Sequence, residues 1–350
     1  MMKAAFITGH GGNEVVEVRH CEKPQRQPDD ILIQIKAATL NQVDLYMRNS
    51  GAGITHQLPQ IMGVDGAGVV AETDETCSYY ANGQSVVLFP ALSCGECEFC
   101  QQGDQSLCRR IQFLGEQTDG TFAEWISVPA ANVFPMPGHL TFAEGAALGV
   151  NFLTAWRMLF TKAQLKPWET VLVFGVGGGV SLAAMQLAKA AGARVIVTSR
   201  DTDKLDRALA MGADAAINSQ QQDVAKAALE YTNGRGVDVV IENIGEAVWS
   251  QAMKSLVRGG RLVTCGATSG AQPGADLQRL FVRQLQIFGS TGGTLAEFRD
   301  LLSFVQHHRI QPVIDSVFSL KQIHNALNHL ESGKKMGKVA LNLCEDSHDS

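Results

Sequence analysis

The spacing of apolar and polar positions changes character near residue 150. Up to that point the apolar residues come in short runs separated by turns. Residues 2–7 read as an opening strand. Residues 31–36 alternate apolar and polar and are bounded by Pro28-Asp29-Asp30, and 66–71 and 85–89 are further strand-like runs. Short strands in a turn-rich segment predict a barrel-like β domain. Beyond residue 150, strand-type and helix-type patterns alternate. Buried-type strands are expected at 171–174, 194–198, 237–241, 261–265 and 286–289, with helices over 180–191 and 204–211. This alternation predicts a doubly wound parallel sheet covered by helices. From about residue 294 the pattern is mixed again, with a last strand at 339–343. The expected division is 1–151, 152–289 and a returning 290–350, giving an α/β two-domain chain. No repeat of solenoid period interrupts it.

The strand at 171–174 runs into Phe174-Gly175-Val176-Gly177-Gly178-Gly179-Val180-Ser181. Bare backbone at Gly175, Gly177, Gly178 and Gly179 lets a pyrophosphate approach closely. The helix that opens at Val180 offers it free N–H groups and a favourable dipole. The strand–glycines–helix–strand context makes a dinucleotide site the expected reading, rather than a loop that only lets a helix pack on the sheet. Ser181 stands at the usual last glycine and is small enough for close helix–strand contact. At the end of the second strand an acidic residue would select NAD. Here the run is Thr198-Ser199-Arg200-Asp201, with Lys204 one turn on. A Ser hydroxyl and a guanidinium suit a 2′-phosphate, so NADP(H) is expected in preference to NAD(H). The other reading makes Arg200 a solvated charge and lets Asp201 restore NAD binding. Gly266, after the strand at 261–265, joins the expected cofactor contacts.

Composition narrows the function classes. The chain has 350 residues and a formal net charge of −6. That balance gives no electrostatic reason to expect nucleic acid or an anionic membrane. No apolar run is long enough to span a bilayer, and residues 1–10 lack a signal-peptide pattern, so a cytoplasmic protein is expected. Of eight Cys, four crowd together: Cys94-Gly95-Glu96-Cys97-Glu98-Phe99-Cys100, then Cys108. Cys21, Cys77, Cys265 and Cys344 are scattered. In a reducing compartment the cluster suggests metal rather than disulfides. Four thiolates make a closed tetrahedral site, so one structural zinc per chain is expected, within a lobe over 92–110.

These features together resemble the zinc alcohol dehydrogenases of the medium-chain dehydrogenase/reductase superfamily and their quinone oxidoreductase relatives. The resemblance extends to Gly63-Val64-Asp65-Gly66-Ala67-Gly68-Val69-Val70, Gly120-Thr121-Phe122-Ala123-Glu124-Trp125, Leu153-Thr154-Ala155-Trp156, Leu209-Ala210-Met211-Gly212-Ala213-Asp214 and Gly337-Lys338-Val339. It implies a GroES-like, β-barrel-type catalytic domain followed by a Rossmann domain. The zinc enzymes hold a catalytic zinc with Cys, His and Cys. The matching positions here are Asn41, Val64 and Val150, and Asp65 stands where Glu is usual. Valine cannot bind a metal and Asn is a poor substitute for thiolate. The relay hydroxyl is replaced by Val43 and the relay His by Tyr46. Asn41, Asp44, Tyr46 and Arg48 instead resemble the Asn-x-x-Asp-x-Tyr-x-Arg pattern of the quinone oxidoreductases.

The resemblance therefore implies hydride transfer from NAD(P)H to a small quinone, enone or other activated carbonyl without catalytic metal. Conjugation spreads the charge that hydride addition creates, so a hydrogen-bond donor suffices. Asn41 or Tyr46 is the expected donor. Asp44 is expected to fix local backbone or to pair with Arg48. Thr154 and Asn41 would border the nicotinamide, and Lys338 would approach the cofactor phosphates. A strand near 286–290 would serve as a dimer edge, giving a homodimer or a tetramer. Two other readings stay open: a zinc alcohol dehydrogenase with atypical ligands, His56 with Asp44 and Asp65 being one conceivable set, and a non-catalytic NADP(H)-binding sensor.

Overall fold

The computed structural model describes residues 1–54, 56–73 and 79–344; Cys77 lies outside them. The chain forms two compact units, one from Met1–Val150 with Gly293–Ser350, the other from Asn151–Gly292.

The first unit is built around the ten-residue strand Asp30–Thr39. On one flank it pairs antiparallel with Asp65–Glu72, in a register that sets Thr39 opposite Asp65. On the other it pairs with Lys338–Asn342, with Thr39 opposite Ala340. Trp125–Pro129 pairs with the first half of the same strand. Beyond these lie Ser85–Leu88, Val133–Pro135 and Ile314–Ser319, making a seven-stranded sheet. Val16–Cys21, Met2–Ile7 and Gln60–Ile61 form a separate three-stranded sheet. Inward-facing Ile31, Ile33 and Ile35 join Leu88, Phe122 and Leu341 in the core between strands and the helix Ile323–Glu331. This is the GroES-like domain. The helix Gln42–Ser50 follows the central strand directly and stops at Gly51, whose φ of 71° provides the left-handed cap.

The second unit is a six-stranded, all-parallel sheet. Its first strand, Thr170–Val173, lies inside. The next two, Arg194–Ser199 and Ala215–Asn218, step outward on one side. Val237–Glu242, Leu256–Thr264 and Gln286–Gly289 step outward on the other. This reversal of direction is the doubly wound Rossmann arrangement, with its ligand site expected where the order switches. Thr170–Val173 and Val237–Glu242 are buried throughout, because helices cover both faces. The outermost strand Gln286–Gly289 is largely exposed. Leu256–Thr264 begins five residues before the expected run, since Gly259-Gly260 hides its start in the sequence pattern.

Candidate functional site

Strand register brings the site of the first unit together. Because Ala340 faces Thr39 in an antiparallel pair, Lys338 extends to the level of Asn41, just past the end of the central strand. Asp65 faces Thr39 from the opposite flank. The three side chains meet. Lys338 Nζ donates to Asn41 Oδ1 at 2.6 Å and to Asp65 Oδ2 at 3.2 Å. Asn41 Nδ2 donates to Asp65 Oδ2 at 2.8 Å, and Thr39 Oγ1 donates to the same oxygen at 3.0 Å. The other oxygen, Oδ1, accepts from the Val150 backbone N–H at 2.7 Å. Gly149 beside it has no Cβ, and one would collide with this carboxylate. Asp65 is thus a fully buried carboxylate with four donors. Breaking a buried, hydrogen-bonded charge pair of this kind costs about 3–5 kcal/mol.

Asn41 is spent by this network. An ammonium can only donate, so the atom facing Lys338 is the amide oxygen. Its Nδ2 hydrogens go to Asp65 and to the Thr39 carbonyl at 3.3 Å. In this structure Asn41 therefore holds Lys338 and Asp65, and both of its amide hydrogens are engaged by the protein. A catalytic zinc does not fit here. Asn41 offers no free lone pair comparable to a thiolate, Val64 is buried and aliphatic, and Val150 contributes only its backbone N–H. Among the described residues, no metal-type grouping includes His56, Asp44 or Asp65.

Asp44 accepts from the Asn41 backbone N–H at 2.6 Å, which fixes the start of the helix Gln42–Ser50. It does not pair with Arg48. That guanidinium is buried against Asn49 and Asn13 and forms an ion pair with Glu331. Burial pushes the Asp44 carboxyl up to about 8, and the nearby negative charges of Asp65 and Glu116 add to the effect. The same desolvation holds Lys338 below the usual lysine range, opposed by the Asp65 charge. Tyr46 is on the exposed side of the helix, at 39% exposure, and its carbonyl accepts from the Gly51 N–H at the helix end. Lys338, expected at the cofactor phosphates, is instead tied to Asn41 and Asp65. In the sequence Asp65 stands where Glu is usual and offers itself as one member of an atypical metal set; its role as the hub needs the two strand registers, which no local pattern carries.

The second unit builds the cofactor site. Gly175 takes φ 68°, which turns the chain from Thr170–Val173 into the helix Gly179–Ala190. Thr198 Oγ1 accepts from Gly175 N at 3.2 Å, so the second strand fastens the turn. Ser181, buried, donates to the Phe174 carbonyl at 2.6 Å. Gly178 is the N-cap, and the first-turn N–H groups of Gly179, Val180 and Ser181 have no carbonyl of their own helix to meet. Lys204 lies across the turn: a Cβ on Gly177 would stand 3.1 Å from its Nζ. Backbone donors, a helix N-terminus and an ammonium at one place fit a pyrophosphate. Ser199 Oγ accepts from Asp201 N at 3.1 Å, leaving its own hydrogen to donate. Asp201 caps the helix Thr202–Ala210 through the N–H groups of Asp203 and Lys204. Arg200 is exposed. Gly266 follows Leu256–Thr264 and packs against the Asn243 carbonyl. Thr154 is buried in a short α-helical turn, Leu153–Trp156, between two π-helical stretches.

The Cys lobe stands apart on a loop. The sulfurs of Cys94, Cys97, Cys100 and Cys108 all lie within 4.8 Å of one another. Cys94 and Cys100 are 3.8 Å apart, and Cys94 and Cys108 3.4 Å. A tetrahedral zinc with Zn–S bonds of about 2.3 Å spaces its sulfurs by about 3.8 Å. Backbone N–H groups of Cys94 and Arg110 reach Cys108 Sγ at 3.4 Å, and ion pairs Glu96–Arg110 and Glu98–Arg109 flank the loop. The donor set fits a structural zinc.

The chain matches the alcohol dehydrogenase GroES-like domain family over residues 27–138 and the zinc-binding dehydrogenase family over 179–307. A zinc-type alcohol dehydrogenase-like protein of Schizosaccharomyces pombe is 34% identical over 343 residues, covering 95% of this chain and 96% of that protein. The chain belongs to the medium-chain dehydrogenase/reductase superfamily. A solved NAD-dependent alcohol dehydrogenase superposes with a TM-score of 0.93 at 38% identity, over 98% of this chain and 100% of that one. A cobalt- and zinc-bound thermostable alcohol dehydrogenase from Pyrobaculum aerophilum gives 0.87 at 32% identity, over 97% and 99%. Membership makes the chain an NAD(P)-dependent oxidoreductase of this superfamily, with a structural zinc at the four Cys. No helix among the described residues is long and apolar enough to cross a membrane.

Proposed function

We propose that this superfamily member reduces quinones, enones or other activated carbonyls without a catalytic metal, drawing on NADP(H) in preference to NAD(H). The observation that carries the reading is the saturated Asn41–Asp65–Lys338 cluster: a carboxylate and an ammonium lie where a Lewis acid would need open ligands. Without that Lewis acid, simple alcohols lose their activation, whereas a conjugated acceptor spreads the incoming charge itself. A bound dihydronicotinamide supplies hydride. The protein's own part is to hold the nucleotide at Gly177–Val180 and Lys204, keep the reacting region dry, and offer a proton or hydrogen bond to the substrate oxygen.

Ser199 and Arg200 support the NADP(H) preference, and the N-cap role of Asp201 draws its carboxylate toward the helix. Arg200→Gln should weaken NADPH about tenfold and leave NADH nearly unchanged, since one charge-assisted hydrogen bond is worth about 1.5–3 kcal/mol. Equal affinities before and after the substitution would count against it. The relatives named alcohol dehydrogenases favour a second reading, alcohol oxidation with atypical metal ligands. Zinc content of protein purified without added metal or chelator separates the two. One zinc per chain supports the metal-free reductase; two would redirect the search to alcohols and aldehydes.

We further propose a homodimer joined at Gln286–Gly289, which has a sheet neighbour on one side only. Leu277, Phe281, Val282 and Ile287 are exposed beside it. Phe281→Glu should shift the molecular mass by light scattering from dimer to monomer.

A further inference from the structure

The helix that opens at the glycine turn carries Ser181 where a glycine is usual, and its hydroxyl is engaged on both sides. A carbonyl can only accept, so the hydrogen of Ser181 Oγ goes to the Phe174 carbonyl at 2.6 Å. Ser181 Oγ is then left to accept, and its donor is Asn243 Nδ2 at 3.1 Å. This fixes which way the amide points: the nitrogen faces Ser181 and Oδ1 is left over. That oxygen meets no donor among the described residues, and Asn243 is half-buried. The backbone that carries the amide is held from two sides. Buried Glu242, one residue earlier, accepts from Ile244 N, from Gly245 N at 2.6 Å and from Thr264 Oγ1 at 2.9 Å. Gly266 packs so closely that a Cβ there would stand 2.8 Å from the Asn243 carbonyl oxygen.

Asn243 stands just past the carboxyl end of Val237–Glu242, the strand that pairs with Thr170–Val173. The strand order reverses between these two. A dinucleotide crosses the sheet at such a point, with one mononucleotide half on each side. The adenosine half belongs to Arg194–Ser199, so Asn243 belongs to the nicotinamide half. An amide oxygen needs a hydrogen to accept. The pyrophosphate, held at the helix N-terminus beside Ser181, has none to give. The next group along the dinucleotide is the nicotinamide-side ribose, which has two hydroxyls. We propose that Asn243, aimed by Ser181, binds a hydroxyl of that ribose through Oδ1. The serine in place of glycine is then one half of a pair, and Asn243 is the other. The contact serves NAD(H) and NADP(H) alike, since both carry this ribose, and it does not depend on the substrate reduced.

The test is calorimetric titration of full-length, zinc-loaded protein with ADP, ADP-ribose and NADH, or with their 2′-phosphorylated counterparts where wild type binds those more tightly. Asn243→Ala should weaken ADP-ribose and the dinucleotide about fivefold, the effect of one net hydrogen bond, and leave ADP, which lacks the second ribose, unchanged. Ser181→Gly should give the same pattern, and the double variant should lose no more than Asn243→Ala alone. Equal weakening of all three ligands overturns the proposal, because Asn243 would then only prop the glycine turn. Unchanged affinity for all three overturns it as well. A weakened dinucleotide with unchanged ADP-ribose overturns the ribose assignment in favour of the carboxamide. Strictly additive losses at Ser181 and Asn243 break the pairing. If Ser181→Gly does not fold, Ser181→Ala takes its place, and Asn243→Ala alone decides on the ribose. A wild-type protein that binds none of the three ligands removes the dinucleotide site, and the proposal with it.

Discussion

Two regions of this chain gather charge to hold backbone segments together, and they do it in opposite ways. The Cys lobe brings four sulfurs within 4.8 Å using residues at most fourteen positions apart, on a loop flanked by exposed ion pairs. Its ligands make sense only around a cation from outside. The Asp65 centre joins residues up to 297 positions apart, in the interior, and supplies its own cation in Lys338. The first region is local and needs a metal; the second is long-range and closes on itself. One chain can therefore keep a zinc where it knots a loop and dispense with one where strands already meet.

The sharpest way to break the comparison is at Asp65. Asp65→Ala leaves a buried ammonium uncompensated and four donors without their acceptor, and should cost about 3–5 kcal/mol in urea unfolding. Adding Lys338→Met to it should recover part of that loss, because the stranded charge is gone; strict additivity of the two changes would show that the residues do not act as a unit. At the Cys lobe, Cys100→Ser should instead release the zinc and open residues 92–110 to protease. The Rossmann unit should keep its nucleotide affinity. Loss of that affinity along with the zinc would mean the lobe is not the separate device described.

Acidity distinguishes the regions next. Asp44 is held protonated by burial, with a folded value of about 8 against an ordinary 3.8. The folded state therefore binds more protons than the unfolded one between those limits. Stability from this group is fully present below about pH 4 and drains away as pH rises through about 8, at up to about 1.4 kcal/mol per pH unit. Asp44→Asn, which keeps an acceptor for the Asn41 N–H, should flatten that slope in urea titrations between pH 5 and 8. A slope unchanged by the substitution would locate the effect elsewhere, with Glu116, raised by its own burial to about 7, the next to examine. The smallest effect is expected at Tyr46, which lies on the exposed side of its helix: Tyr46→Phe should alter kcat less than about twofold, and a loss of about 100-fold would make its hydroxyl the proton donor.

The same contrast explains what the sequence disclosed. The four Cys and the glycine turn are contiguous motifs whose chemistry is set by neighbours within one loop, so they could be read residue by residue. So could the fully buried strands of the parallel sheet, which are rich in Val, Leu and Ile, with Asp238 the one polar residue inside 237–241. The helix Gln42–Ser50 was not foreseen, since its start depends on Asp44 folding back on the Asn41 N–H. Val16–Cys21 and Ala215–Asn218 were missed because one is largely exposed and the other is only four residues long. Asn41 and Lys338 each stand out in the sequence, but their meeting does not, because it depends on strand register. Two one-sided readings became one site only when Thr39 was found opposite both Asp65 and Ala340.

The returning tail has a consequence for synthesis on the ribosome. Every strand of the parallel sheet has been made by Gly289, and its compact unit ends at Gly292. The earlier unit still lacks Lys338–Asn342, which pairs with its central strand and carries the counter-charge for Asp65. A nascent chain can therefore finish the parallel-sheet unit while the unit begun before it waits, holding an unpaired carboxylate, for Lys338–Asn342 to emerge.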